Sequence, residues 1–237
     1  MSVCCRTLTL ILVLSAACNG SPREDGVSPA ADPAPDKPAE APQPSTPNPA
    51  DVASCKSKDE SACAKACDAG DTSSCATLGR LALKKSAPNE KAKCEAALRK
   101  ACEGGIGNAC SWMSSCLMMV ELSGGPAASK EESTAFNIKA CDLNDGSGCF
   151  NAGKALEEGY GAPVDPAKGA ELIAKAFKLL QNECDTGVGD SCFQLAMQRD
   201  PETLSKRLPK DKALAATLYE QACKAGVEMA CGRGGAK

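Results

Sequence analysis

The chain reads as an all-α protein, a solenoid of stacked helix pairs with paired cysteines at the hairpin tips. Three observations predict it. A frame of two cysteines eight positions apart recurs as Ala66–Cys75 (ACDAGDTSSC), Ala101–Cys110 (ACEGGIGNAC), Ala140–Cys149 (ACDLNDGSGC), Glu183–Cys192 (ECDTGVGDSC) and Ala222–Cys231 (ACKAGVEMAC). The first cysteines of successive frames stand 35, 39, 43 and 39 residues apart, which is the range of a helix-pair repeat. Between the frames, apolar residues fall at helical spacing.

Geometry explains the frame. Along a continuous helix, residues eight apart are separated by about 12 Å of rise, beyond the roughly 7 Å between Cα atoms that a disulfide tolerates. A strand separates them further. The two cysteines can bond only where the chain reverses, and the Gly, Asp, Asn and Ser residues between them are turn formers. Each frame is therefore the tip of an αα-hairpin, one cysteine ending a helix and the other beginning the next.

Composition limits the chemistry. Of 237 residues, 17 are Cys and none is His. Without histidine there is no Ser-His-Asp or Cys-His nucleophile system and no imidazole metal ligand. Aromatic residues make up 3% of the chain, so the core must be built largely from Ala and Leu, and crosslinks supply part of its stability. From Ala53 to Lys237 there are 24 basic and 24 acidic residues, whereas Asn19–Val52 carries two basic and six acidic ones. A neutral repeat region gives no electrostatic footprint for nucleic acid.

Residues 1–18 read as an export signal: Arg6, an apolar run Leu8–Leu14, then Ser15-Ala16-Ala17-Cys18. The run is too short to span a bilayer. Small residues before Cys18 resemble a bacterial lipobox, which would make Cys18 the lipid-modified N-terminus and a membrane anchor. Ser15 stands where that pattern usually has Leu, so ordinary secretory cleavage is the alternative. Asn19–Val52 holds nine prolines and almost no large apolar residue, the composition of a disordered, semi-extended tether. A proline-rich ligand for another domain is the other reading of it.

From Ala53 onward, helices are expected over Lys58–Asp68, Ser74–Lys85, Asn89–Glu103 with Asn89 as N-cap, and Gly107–Leu122, whose broad apolar band makes it central. Ser129 to Glu132 has capping-box spacing and opens a helix to about Leu143. Gly148–Glu158 follows. Asp165-Pro166 then opens the longest helix, Ala167–Cys184. Asp190–Arg199 and Asp211–Lys224 complete the set, with Asp200–Lys210 the least regular stretch.

Ala152-Gly153-Lys154-Ala155-Leu156, Gly159-Tyr160-Gly161 and Val164-Asp165-Pro166-Ala167-Lys168, followed by a helix ending in Cys184, resemble a Sel1-like repeat. These units are α/α pairs related to tetratricopeptide repeats. With a cysteine at each hairpin tip, residues 55–237 are similar to the cysteine-rich Sel1-repeat proteins of the Helicobacter type, a group often filed as a β-lactamase family. The Gly-x-Gly loop is clear in one repeat only. The resemblance implies the bridges Cys67–Cys75, Cys102–Cys110, Cys141–Cys149, Cys184–Cys192 and Cys223–Cys231, each worth about 2–3 kcal/mol by loop entropy. Four cysteines depart from that pattern. Cys94 and Cys116 face each other across one hairpin and are expected to pair, which leaves Cys55–Cys63, again eight apart, as an N-terminal cap; the pairing of these four is the part the sequence leaves open. With all fourteen paired, the compartment is oxidising, the periplasm or outer membrane if Cys18 is lipidated.

Three function classes follow. Solenoids of this kind present a groove to peptides or proteins, so the first is a tethered interaction scaffold, monomeric, with an unidentified protein or peptide partner. Its candidate groove residues are Trp112, Asn151, Lys154, Gln194 and Met197, on the first helix of each pair; for Trp112 and Met197 core packing is the plainer role. The second is β-lactam binding or hydrolysis, which rests on the resemblance alone. The chain has no S-x-x-K, no K-T-G and no histidine for a zinc hydrolase, and no catalytic residue is assigned: Glu131-Glu132 and Glu157-Glu158 read as solvated helix surface. The third, redox chemistry or a metal site, would need close C-x-x-C pairs, which are absent. No cofactor is expected.

Overall fold

A computed structural model describes residues 46–85, 87–122 and 129–233. The expected signal with Cys18, and most of the tether, lie outside them. Among the described residues the chain forms α1 (Pro49–Lys56), α2 (Glu60–Asp68), α3 (Thr72–Lys85), α4 (Lys91–Glu103), α5 (Gly107–Leu122), α6 (Lys130–Asp142), α7 (Gly146–Glu158), α8 (Pro166–Asp185), α9 (Gly189–Arg199) and α10 (Lys212–Lys224).

Short polar side chains start most of these helices. The carboxylates of Asp59, Asp145, Asp165 and Asp211 accept from the backbone N–H three residues on, at 3.1, 2.6, 2.9 and 3.0 Å. Ser129 accepts from Glu132 N–H at 3.2 Å, and the Glu132 carboxylate turns instead to Arg99, 2.9 Å away on α4. Half of the capping box is thus exchanged for a contact between helices.

Three expectations change. The tether ends earlier than Val52, because Asn48 caps Ala50 N–H at 2.9 Å and Pro49 takes the first helical position, where its missing N–H is harmless. Asn89 is not an N-cap. Pro88–Glu90 is a 3-10 turn that runs into α4 with Glu90 already at helical dihedrals, so no extended residue remains to cap. Glu90 is held there by Lys93 at 3.0 Å. Finally, Cys231 begins no helix: it follows a single 3-10 turn, Glu228–Ala230.

Consecutive helices pack as antiparallel neighbours, and the odd-numbered ones also touch in series, α1 to α3 to α5 to α7 to α9. They form the inner layer of the stack. Helix α5 meets α3, α4, α6 and α7, which fits its broad apolar band. The core is made of cystines, alanines and leucines, with Cys63, Cys94, Cys102, Cys110, Cys116 and Cys149 fully buried beside Leu98, Leu180 and Met113. Small residues let backbones approach. A Cβ on Gly153 of α7 would lie 2.7 Å from the Gly169 carbonyl oxygen of α8, and one on Gly169 would lie 2.7 Å from the Gly153 oxygen.

Disulfides clamp the even-to-odd connections. Cys67–Cys75, Cys102–Cys110, Cys141–Cys149 and Cys184–Cys192 join α2 to α3, α4 to α5, α6 to α7 and α8 to α9, with Cα separations of 4.6, 4.8, 4.2 and 4.7 Å. Cys223–Cys231 closes the turn after α10 at 4.9 Å, and Cys55–Cys63 joins α1 to α2 at 4.5 Å. Cys94–Cys116 crosses the body of the α4–α5 hairpin, with Cα atoms 6.4 Å apart. Cys63 and Cys67, one turn apart on α2, therefore have partners on opposite sides. Together these bridges fit an oxidising, extracytoplasmic location.

Every clamped turn is the same object. Three residues after its first cysteine the chain enters the left-handed region, at Lys58 (φ 67°), Gly70 (99°), Gly105 (87°), Asn144 (60°), Gly187 (92°) and Gly226 (87°). That residue donates its N–H to the cysteine carbonyl, and the next residue donates to the carbonyl before the cysteine. In the second turn these are Gly70 to Cys67 at 3.0 Å and Asp71 to Ala66 at 2.9 Å; in the first, Lys58 to Cys55 at 2.8 Å and Asp59 to Ser54 at 3.2 Å. This is a helix C-terminus closed by paired backbone bonds. The Cys55–Cys63 cap is a sixth copy of the frame, with Lys58 where four of the other five turns have glycine.

Candidate binding cleft

The clamped turns meet around one cleft. A cavity of about 470 Å³ is lined by Lys56 and Lys58 of the first turn, by Ser73, Arg80 and Lys84 of α3, by Asn108 and Trp112 of α5, and by Ala225 and Gly226 of the last turn. A second, of about 350 Å³, shares Arg80, Ile106, Asn108 and Trp112 with it and continues past Asn144, Asp145 and Ser147 to Glu183, Asp190 and Ser191. First and last turns face the same space, so the stack winds far enough to bring the clamped turns into a ring.

Arg80 and Trp112 stand at the junction. The Arg80 guanidinium lies 4.8 Å from the centroid of the half-buried Trp112 ring and 2.5 Å from the Asp190 carboxylate at the start of α9. Stacking on the indole and pairing with a carboxylate are the two contacts a planar guanidinium makes best. Arg80 thereby joins α3, α5 and α9 across the cleft. Charge is divided: the larger cavity carries Lys56, Lys58, Arg80 and Lys84, and the smaller one Asp145, Glu183 and Asp190.

These carboxylates are mostly engaged in holding turns together. Glu183 of α8 accepts from Gly146 N–H at 2.8 Å and from the Ser191 hydroxyl at 2.5 Å. Asp145 is buried and caps α7. Burial pushes its carboxyl above the ordinary carboxylate value, the Gly148 N–H and Ser111 hydroxyl work the other way, and Glu183 adds to the rise. Among the described residues, no group of three or more His, Cys, Asp or Glu side chains could hold a metal ion, and no helix is long and apolar enough to cross a membrane.

The five candidates from the sequence do not share one groove. Trp112 lines the cleft. Asn151 and Lys154 line a different cavity, beside Asn137 and Tyr160. Gln194 accepts from the Ser147 hydroxyl at 2.7 Å and so ties α9 to α7. Met197 packs, partly buried, against the cluster that holds Leu218 and Tyr219. The residues missed are Lys56, Lys58, Arg80, Lys84 and Asp190. For Lys56, Lys58, Arg80 and Lys84 only the basic character was visible in sequence; Arg80 and Asp190 lie 110 positions apart.

No protein-family model and no curated protein matches this chain. In fold it is similar to a Sel1 repeat protein from Oxalobacter formigenes, at 20% identity and a TM-score of 0.38 over 76% of this chain and 67% of that one. It is also similar to a protective antigen present in uropathogenic Escherichia coli strains that displays an SLR fold, at 18% identity and a TM-score of 0.39 over 72% of this chain and 34% of that one. The chain thus spans about a third of the length of the second.

Proposed function

We propose that the protein is an exported scaffold whose cleft, ringed by disulfide-clamped turns, holds an extended segment of a partner protein. The observation that carries this reading is the continuous opening through the two cavities with Trp112 under Arg80 at its middle. A half-buried aromatic with a stacked arginine is the kind of anchor that dominates binding energy. The rim is held covalently, so little ordering remains to be done on binding. Lys56, Lys58 and Lys84 select for acidic side chains flanking an apolar one. In this reading the tether holds the scaffold at the membrane through lipid on Cys18, as a monomer.

Trp112 is the chain's only tryptophan, so its emission reports the cleft alone. Oxidised full chain is used as bait in an envelope extract, and captured proteins are titrated back against Trp112 fluorescence. A partner that shifts the emission and loses about 10-fold or more in affinity against Arg80→Ala supports the reading. Capture that is indifferent to Arg80→Ala and silent in Trp112 emission overturns it. Incorporation of a fatty-acid analogue, lost on Cys18→Ala, tests the anchor separately.

A further inference from the structure

The Arg80–Asp190 contact crosses the middle of the cleft. Arg80 lines both cavities, Asp190 only the smaller one, and their bond runs from α3 to the first turn of α9. It uses little of what a guanidinium offers. Nη2 donates to one oxygen of Asp190 at 2.5 Å, whereas a guanidinium carries five N–H donors and meets a carboxylate best through two parallel bonds. The two side chains are 37% and 41% exposed, and a pair so open to water contributes a factor of about 5 at most to an equilibrium. The bond is weak enough to be exchanged for a better one.

Both partners are provided for after such an exchange. Asp190 remains in the first turn of α9, an 11-residue helix whose start has no side-chain cap because Val188 stands at the capping position. A carboxylate there is stabilised by the N–H groups of the first turn and by the positive end of the helix. Arg80 keeps its place 4.8 Å from the centroid of the Trp112 ring. Lys56, Lys58 and Lys84 share the larger cavity with it, and among the described residues no carboxylate lines that cavity. An anion arriving from this side meets only cations and neutral groups.

We propose that Asp190 is an internal competitor for the partner: a carboxylate of the bound acidic segment, entering from the larger cavity, replaces Asp190 on Arg80, and Asp190 falls back onto the start of α9. This exchange presupposes that the cleft takes an extended acidic segment, and it adds a threshold to that site. A segment without a carboxylate leaves the internal bond in place or breaks it without replacement. Discrimination against neutral segments is thus built into the empty cleft.

The test uses oxidised full chain, the peptide acetyl-Glu-Leu-Glu-Leu-Glu amide and its Gln-Leu-Gln-Leu-Gln counterpart, with binding read from Trp112 emission and from calorimetry. The acidic peptide should bind more tightly than the neutral one. Asp190→Asn should tighten the acidic peptide by about 2–5-fold, the factor carried by an exposed ion pair, without tightening the neutral one. In an Arg80→Gln background the same substitution should change nothing, because the competitor acts only through the guanidinium. A gain that persists beside Arg80→Gln would reduce Asp190 to a general repulsion and overturn the proposal. Absence of any gain would overturn it too, as would failure of the acidic peptide to bind either the natural chain or the Asp190→Asn chain up to millimolar concentration. In all three cases a captured envelope partner that depends on Arg80 and shifts Trp112 emission would leave the scaffold reading standing.

Discussion

The two kinds of connection in this stack are built on opposite plans. The connection after α1 and the even-to-odd connections are short, carry a disulfide, and repeat one backbone pattern down to its left-handed residue. The connections after α7 and α9 carry no disulfide and do not repeat that pattern. After α7 the loop is fastened by Thr134, whose hydroxyl donates to the Tyr160 carbonyl at 2.7 Å, and by Asp165 N–H bonding back to the Leu156 carbonyl at 2.8 Å. After α9 a longer loop wraps around Lys210, whose ammonium donates to the Asp200 carbonyl at 2.7 Å, and the Tyr219 hydroxyl donates to Asp200 at 2.9 Å. The covalent plan lines the Trp112 cleft; the noncovalent plan does not. Rigidity is thus concentrated at the candidate site, while the other connections are free to vary in length.

The sharpest way to break this contrast is to remove a clamp. Replacing both Cys102 and Cys110 by Ala is expected to lower unfolding stability by about 2–3 kcal/mol, read as a shifted denaturant midpoint. The fully reduced chain should lose any Trp112-dependent binding along with its near-ultraviolet signal. If the double substitution leaves the midpoint in place, the bridges are not what holds the ring.

On the other plan, α7 and α8 are held by close backbone approach. Gly153→Ala would set a Cβ 2.6 Å from Ile173 Cγ1 and 2.7 Å from the Gly169 oxygen. Overpacking of this kind costs about 1–3 kcal/mol, measured in the same way. A smaller effect separates the first clamp from its copies. Gly70→Lys places a side chain in the left-handed region and should destabilise by about 1 kcal/mol, whereas Lys58→Gly relieves that conformation and should be neutral or stabilising by a few tenths. Equal and same-signed effects would mean that the two turns are not equivalent after all.

Much of the fold was legible because cysteine spacing and helix-pair period act locally. A disulfide between residues eight apart requires a reversal wherever it occurs, and Asp before a helix caps it wherever it occurs. Asn89 failed for a local reason as well, since Glu90, drawn to Lys93, continues the helix backward through Pro88. The candidate cleft was legible only at Trp112. Its other residues come from elements far apart in sequence, and no feature near Arg80 indicates that Asp190, 110 positions on, will arrive beside it. Asn151 and Lys154 were found as polar positions on an inner helix, but that they open on a cavity beside Asn137 and not on the cleft is a fact of packing.

The smallest effect sharpens the comparison at a single clamp. Asp145 caps α7 within the Cys141–Cys149 turn, where burial raises its carboxyl above its ordinary value of 3.8, with Glu183 adding to the rise. A raised value means that the folded state binds the proton more tightly than the unfolded chain. Stability must then fall as pH rises from near 3.8 through the folded-state value, and become flat above it. Asparagine keeps an oxygen for the Gly148 N–H and has no charge to desolvate. Asp145→Asn should therefore match the natural chain at acid pH and gain on it through that window, in denaturant midpoints taken at successive pH values. Glu60 supplies the opposite sign on the noncovalent side. Hydrogen bonds from Lys85 and Lys93 lower its carboxyl below the ordinary value of 4.5, so its contribution is present above that value and is lost as pH falls through the lowered one. Opposite slopes from Asp145→Asn and Glu60→Gln would show that a clamp can carry an unfavourable charge which the noncovalent contacts between α2, α3 and α4 do not.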